Sequence, residues 1–291
     1  MKVLILTSGG DAPGMNACVH YITKFLPRKT QVFASKYGFQ GLLDNNIEKI
    51  DTRLTSQHKN KAGSFIKSSR CLEFKKEKGF NKALETLKKR KIDVVIILGG
   101  DGSLKGAQSL ALAGINVVLI PSTIDRDLPY ETYSIGFDTA ADAATKYIES
   151  VKPTMEAFDR ICIYEIMGRD DTDLTMQVAR NVQADFVLTK KTLHEIDFDV
   201  VRKKCALKPH LTICLQEKLL PIEKVVEVFE AQTQNGVRAC VVGYIQRGTA
   251  PTKTEMLNAK RFARFVVKQI KQKQFNFTVA LDGKKASKIK F

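Results

Sequence analysis

No run of about eighteen apolar residues occurs in the 291-residue chain, so no segment has the length to cross a bilayer as a helix, and no membrane partner is expected. Residues 1–6 carry no basic leader and no small-residue cleavage site, and read as folded protein rather than signal peptide. Cysteine is present but unorganised. Cys18, Cys71, Cys162, Cys205, Cys214 and Cys240 show no C-x-x-C spacing and no partnering histidine cluster. That argues against zinc and for reduced core thiols, hence a cytoplasmic protein. Internal repeats and low-complexity linkers are missing as well, so a domain boundary must be a chain crossing rather than a tether. Acidic residues are scarce: 31 against 47 Lys and Arg leave a formal charge of +16.

That charge is uneven. Residues 253–291 hold eleven Lys or Arg and two acids, in a lysine-rich helix followed by a short lysine-rich end. No aromatic pattern suited to base stacking accompanies the lysines, so the segment reads as a solvated basic face and not a nucleic-acid site. An anionic substrate would also be drawn to a basic protein, so charge alone decides nothing.

What is present is an alternation. Residues 3–6, 32–34, 94–98, 117–120, 161–166, 211–215 and 239–242 read as buried strands rich in β-branched residues. Helical patterns lie between them, at 80–89, 104–112, 140–151, 174–182, 222–231 and 257–270. Apolar strands separated by helices indicate an α/β protein whose mainly parallel sheet is sandwiched by helices. In such sheets ligands bind beyond the carboxyl ends of the strands.

Three strand ends have unusual loops. The first, Thr7-Ser8-Gly9-Gly10-Asp11-Ala12-Pro13-Gly14-Met15-Asn16, offers backbone N–H groups and a helix N-terminus to a phosphate. It has neither the lysine of a Walker loop nor the dinucleotide G-x-G-x-x-G spacing, and alone it could be a tight turn. The second, Gly99-Gly100-Asp101-Gly102-Ser103, sets a carboxylate beside a second candidate cradle, which suits Mg²⁺ held between protein and nucleotide phosphates. Asp101 or Ser103 could equally be a helix cap. Two such loops in one α/β domain favour nucleotide binding. The third, Pro121-Ser122-Thr123-Ile124-Asp125-Arg126-Asp127, could supply a general base and an orienting carboxylate, or make an ordinary turn.

These loops, in this order, with Ile135-Gly136-Phe137-Asp138-Thr139-Ala140, Glu165-Ile166-Met167-Gly168-Arg169 and Gly243-Tyr244-Ile245-Gln246-Arg247-Gly248, resemble 6-phosphofructokinase of the bacterial, ATP-dependent type. The resemblance runs from Met1 to about Ile270. It implies a two-lobed fold, with residues 1–136 plus 250–291 as the larger nucleotide-binding lobe and 137–249 as the smaller sugar-phosphate lobe. It implies transfer of the ATP γ-phosphate to the 1-hydroxyl of fructose 6-phosphate, with Mg²⁺, in a homotetramer that shares active sites between subunits.

By resemblance Asp125 is the general base, Asp127 supports it and Thr123 orients the reacting groups. Asp101 holds Mg²⁺ through the nucleotide phosphates, beside Gly102 and Ser103. Gly10 lies against the transferring phosphoryl group and Arg70 offsets its charge. Met167, Arg169 and Glu217 recognise the sugar phosphate. Arg247 grips the 6-phosphate, joined by Arg160 and Arg238 from a neighbouring subunit. Pyrophosphate-using members generally carry an aspartate where Gly102 stands and a lysine where Ser122 stands, so ATP is the expected donor.

Several positions depart from the family's pattern. Arg126 replaces an asparagine, and a cation beside the base would lower its basicity. Lys67, Thr172 and Thr249 replace glycines, which predicts a rearranged backbone wherever positive φ is needed. Tyr244 replaces a histidine, and Glu255-Met256 replaces Asp-Arg. The effector-site arginines are matched by His20 and Lys24, and an effector-site glutamate by Lys191, while Lys208 is kept. Weak or absent effector response is therefore expected. A catalytically weakened paralogue acting as a binding or regulatory subunit is the alternative these changes raise.

Overall fold

The apolar runs form two sheets, one in each of the two units into which the chain divides. The computed structural model describes residues 1–129, 133–208 and 210–291. One unit comprises Met1–Thr139 and Arg247–Phe291, the other Ala140–Gln246.

The first unit opens with β1 (Lys2–Thr7), α1 (Met15–Phe25), β2 (Gln31–Ser35), α2 (Phe39–Leu43), β3 (Ile47–Ile50) and α3 (Thr52–Ser56). It continues with α4 (Glu77–Arg90), β4 (Val94–Gly99), α5 (Asp101–Leu112), β5 (Val117–Pro121) and the start of α6 (Phe137–Ala157). The second unit takes the rest of α6 and adds β6 (Ile161–Ile166), α7 (Asp173–Val182), β7 (Phe186–Leu188), α8 (Phe198–Leu207), β8 (Leu211–Gln216), α9 (Ile222–Thr233) and β9 (Val237–Val241). The chain passes back through α10 (Ile245–Gly248) to α11 (Lys253–Lys271), β10 (Phe277–Asp282) and β11 (Lys285–Lys290).

The seven-stranded sheet of the first unit has the order β11-β10-β5-β4-β1-β2-β3. Its central strand β4, VVIILG, is buried at every position, as a parallel strand covered on both faces must be. On one face Leu4, Leu6, Val95, Ile97 and Leu119 pack with Phe39, Phe74 and Leu104. The chain winds from β1 toward β2 on one side and from β4 toward β5 on the other, so the order reverses between β1 and β4. Such a switch point leaves a crevice at the carboxyl ends of the strands. The second unit's sheet, β7-β8-β6-β9, is parallel throughout. Ile163, Ile213, Leu215, Val225 and Phe229 anchor its core.

Three elements differ from the sequence reading. The lysine-rich end is a hairpin: β10 joins the sheet parallel to β5, and β11 pairs antiparallel to β10 at the sheet's edge. Lys285, Lys288 and Lys290 lie on that edge strand, where charge discourages pairing with another chain. The helix expected over 140–151 extends over Phe137–Ala157, with Pro153 inside it. The strand expected over 239–242 begins at Val237, because Val237 and Arg238 already pair with Ile161 and Cys162.

Candidate active site

Parallel register brings the three loops side by side. Thr7 lies opposite Leu98 and Gly99 opposite Pro121, so β1, β4 and β5 end together although their loops are far apart in sequence. Backbone bonds extend the ladder past the strand ends: Ser8 N–H donates to Leu98 O at 2.9 Å and Ser122 N–H to Gly99 O at 3.0 Å. The buried Ser103 hydroxyl donates to Ser8 O at 3.3 Å, which fastens the second loop to the first. Ser103 thus spends its side chain on holding the loops together.

The second and third loops meet at Gly100. A Cβ there would come within 2.9 Å of Asp127 Oδ1 and 3.2 Å of Thr123 Cβ, so glycine permits the close approach. Within the third loop Thr123 Oγ1 accepts from Asp125 N–H at 3.1 Å. Ser134 closes the loop from outside: its Oγ accepts from Thr123 N–H at 2.8 Å and donates to Thr123 O at 2.7 Å. Asp125 is 3% exposed, whereas Asp127 is open to solvent. The Arg126 guanidinium stacks 3.6 Å above the centre of the Phe137 ring, a cation–π contact.

Asp101 begins α5 and pairs with Lys105 Nζ at 2.6 Å. That bond, with the attraction of Asp101 and Asp127, raises the Lys105 pKa. Among the described residues no three His, Cys, Asp or Glu side chains cluster as a metal cage. A lone half-exposed carboxylate at a phosphate cradle suits Mg²⁺, which keeps waters and phosphate oxygens as its other ligands. An added Cβ at Gly102 meets nothing within 4 Å, so the space beside Asp101 is open.

Gly10 faces Arg247. The Arg247 guanidinium occupies the place where a Gly10 side chain would begin, and its Nη1 donates to Asp11 O at 3.3 Å. Arg70 ends a segment laced to the first loop: Ser68 Oγ donates to Gly9 O at 2.8 Å and Thr7 Oγ1 to Lys67 O at 2.8 Å. Arg70 itself is exposed. The expected rearrangement at Lys67 is absent, for Lys67 simply takes φ +65°. Thr172 sits at φ −94° and Thr249 is not among the positive-φ residues, so neither is strained in the way glycine would relieve. Lys67→Gly is therefore expected to raise stability by about 1 kcal/mol, read as a higher denaturant midpoint at unchanged slope. An unchanged midpoint would mean the left-handed turn costs nothing.

In the second unit the named residues fall into two groups. Glu217 Oε1 accepts from Gly168 N–H at 3.2 Å and Arg169 N–H at 2.8 Å, and Gln246 Oε1 accepts from Met167 N–H at 3.0 Å. These gather Met167, Arg169 and Glu217 at the carboxyl end of β6. Burial, followed by the nearby Glu217 and Glu223 charges, raises the Glu165 pKa there. Arg160 and Arg238 lie at the amino end of the same sheet. Arg160 directly precedes β6, and Arg238 pairs with Cys162. Five residues of strand, about 16 Å, separate the groups.

Two of the effector-site matches, His20 and Lys208, have partners within the chain. His20 is 3% exposed, its Nδ1 lies 3.1 Å from Thr55 Oγ1, and burial with Lys59 and Lys24 lowers its pKa. Lys208 Nζ donates to Asp185 at 2.9 Å. A cavity of about 490 Å³, bordered by Lys36, Glu48, His58 and Lys61, includes none of the expected site residues.

Sequence reading missed Ser134, Tyr133 and the full role of Glu255. The Tyr133 hydroxyl donates to Glu255 Oε1 at 2.6 Å, and Thr139 Oγ1 donates to Oε2 at 3.1 Å. Only Thr252-x-x-Glu255, with the spacing of a capping box, was a visible signal.

The phosphofructokinase family model matches residues 2–270. The chain belongs to the phosphofructokinase family. It is 34% identical over 286 residues to an ATP-dependent 6-phosphofructokinase of Lactobacillus helveticus, covering 97% of this chain and 89% of that one. A Buchnera aphidicola ATP-dependent 6-phosphofructokinase is 35% identical over 274 residues, covering 91% and 84%. Among solved structures, Saccharomyces cerevisiae phosphofructokinase superposes with TM-score 0.88 at 22% identity, covering 99% of this chain and 44% of the yeast chain. A pyrophosphate-dependent phosphofructokinase of Nitrosospira multiformis gives TM-score 0.85 at 16% identity, covering 99% and 82%. Both structures share the phosphofructokinase fold, and at these identities that is all they establish.

Proposed function

We propose that this phosphofructokinase transfers the γ-phosphoryl group of ATP to the 1-hydroxyl of fructose 6-phosphate, yielding fructose 1,6-bisphosphate. The observation that carries the reading is the convergence of the three loops at the ends of β1, β4 and β5, with Asp125 buried among them. Phosphoryl transfer has a loose transition state, so positioning and charge compensation are most of what a protein contributes.

The roles are those the family resemblance implies, and the placement of the three loops supports them. Glycines of the first two loops receive the nucleotide phosphates. Asp101 would hold Mg²⁺ through those phosphates, and the metal would supply neutralisation of their charge. Asp125, fixed by the Thr123 hydroxyl, takes the proton of the 1-hydroxyl as it attacks. Asp127 keeps the local field negative around the departing proton. Arg70 offsets charge on the transferring group, and Arg247 turns from Asp11 to the 6-phosphate. Guanidinium forks match phosphate oxygens better than an ammonium does. Met167, Arg169 and Glu217 present the sugar.

Open space at Gly102 supports ATP as the donor. Gly102→Asp is expected to leave stability within about 0.5 kcal/mol, since its Cβ meets nothing. It is expected to lower the ATP-dependent kcat/KM by at least about tenfold through charge repulsion with the phosphates. Unchanged ATP kinetics would remove Gly102 from the nucleotide site.

The separation of Arg160 and Arg238 from Met167 and Glu217 supports an oligomer in which these arginines serve a neighbour's site. Homotetramer and cytoplasm are the family expectations. If sites are shared, inactive Asp125→Asn and Arg238→Ala proteins should regain activity when mixed, unfolded and reassembled together. Hybrids that stay as inactive as their parents would sink the shared site.

A further inference from the structure

We propose that Cys162 and Cys240 form a peroxide-oxidisable dithiol that closes to an intrachain disulfide between β6 and β9. Their sulfurs lie 3.8 Å apart, with the Cys162 thiol donating to Cys240. Parallel register explains the meeting. Tyr164 is opposite both Cys214 on β8 and Cys240 on β9, and Cys162 is two residues from Tyr164, so three thiols and a tyrosine share one face of this sheet.

The thiols on that face are not alike. Cys214 is fully buried, and burial pushes its pKa up to about 12, which leaves it inert. Cys162 is 1% exposed, and its bond to Cys240, then burial, push its pKa up. Cys240 is half-buried on the edge strand, between exposed Ala239 and Val241. The bond from Cys162, with help from the Tyr147 hydroxyl and against desolvation, pulls Cys240 below the ordinary thiol range. Thus Cys240, the more exposed residue of the pair and the one that accepts the bond, is placed to attack, and Cys162 behind it is placed to resolve. This is the arrangement of an attacking thiol with a resolving thiol in reach.

The chemistry balances with hydrogen peroxide as oxidant. The Cys240 thiolate attacks one peroxide oxygen, the O–O bond breaks, and Cys240 becomes a sulfenic acid as the other oxygen leaves as water after taking a proton. Cys162 sulfur then attacks the sulfenic sulfur, loses its proton, and the hydroxyl leaves as a second water. Two thiols lose two electrons and two protons, and peroxide is reduced to two waters. The link forms beside Arg238, which lies opposite Cys162 in the register.

The test treats the reduced full-length protein with hydrogen peroxide and follows intact mass, free thiols and the mapped peptides. The expected result is loss of two hydrogens, loss of two thiols, and one joined pair of peptides carrying residues 162 and 240, all reversed by dithiothreitol. Cys162→Ser should stop at a dimedone-reactive Cys240, and Cys240→Ser should slow oxidation at this site by at least about tenfold. Should the serine variants not fold, phenylarsine oxide probes the reduced protein as it stands, and one equivalent should bridge the two sulfurs. Thiols that survive peroxide, disulfides that only join separate chains, or no bridging of 162 to 240 by the arsenical would each overturn the proposal.

Discussion

Asp125→Asn should cut turnover of fructose 6-phosphate by roughly 10²–10⁴ while ATP binding stays nearly intact, the range expected when a general base is lost. The geometry makes the substitution a clean test. Asp125 is buried at the third loop, and its backbone N–H, not its carboxylate, makes the bond to Thr123 Oγ1. Asparagine has nearly the same size and keeps that bond, so loop position should survive while proton acceptance does not. Gly102 and Asp101, proposed to face the nucleotide, belong to another loop and keep their surroundings. Binding of ATP measured calorimetrically beside the rate assay separates the two. A variant with full rate would remove Asp125 from the role of base, and one that lost both rate and ATP binding would mean the loop had collapsed.

Glu255 carries the second large effect. Its carboxylate is fully buried and accepts from Tyr133 and Thr139, and its own N–H donates to the Thr252 cap at 3.1 Å. Thr252 N–H donates in turn to Thr139 Oγ1 at 3.2 Å, so Thr139 is inserted into what would otherwise be a closed capping box. The side chain also packs on the first loop: a Cβ on Gly14, at φ +97°, would meet Glu255 Cγ at 2.9 Å. One residue of α11 therefore braces the start of α1 and the segment running from Tyr133 to Thr139. Ser134, within that segment, is the residue that clamps Thr123. Glu255→Ala strands the Tyr133 hydroxyl and both the hydroxyl and the N–H of Thr139, and is expected to cost roughly 3 kcal/mol.

Burial raises the Glu255 pKa from 4.5 to about 7, against the bond from Tyr133, which lowers it. Between these values the folded protein still holds a proton that the unfolded chain has released. The contribution to stability is therefore full below pH 4.5, falls as pH rises to about 7, and then levels off. The fall amounts to roughly 3 kcal/mol at most. Glu255→Gln should flatten that part of the curve. Identical pH–stability slopes for the two proteins across this window would show that Glu255 ionises normally.

Much of this architecture is legible in the sequence, and its losses have physical causes. The buried runs at β1, β4, β5, β6 and β8 stand out because a strand covered on both faces must be apolar throughout. β11 does not, because an edge strand needs only one partner and tolerates the lysines that disguised it as a tail. β7 has only three residues, too few for a pattern. At the site, loop composition points to phosphate and carboxylate chemistry, but only strand register brings the three loops together. Ser134 and Tyr133 lack any signal because their work is tertiary: each reaches a partner whose sequence distance is set by the fold. The glycine replacements show the limit most plainly. Sequence treats Lys67, Thr172 and Thr249 alike, yet only Lys67 occupies positive φ.

The most direct test of the central claim is the initial rate of fructose 1,6-bisphosphate formation by the purified protein with fructose 6-phosphate and Mg-ATP, compared with pyrophosphate as donor. The expected result is steady turnover with ATP, at least about a hundredfold above the pyrophosphate rate, which corresponds to a difference of nearly 3 kcal/mol in transition-state stabilisation. A folded, nucleotide-binding protein that forms no product, or one that prefers pyrophosphate, would contradict it.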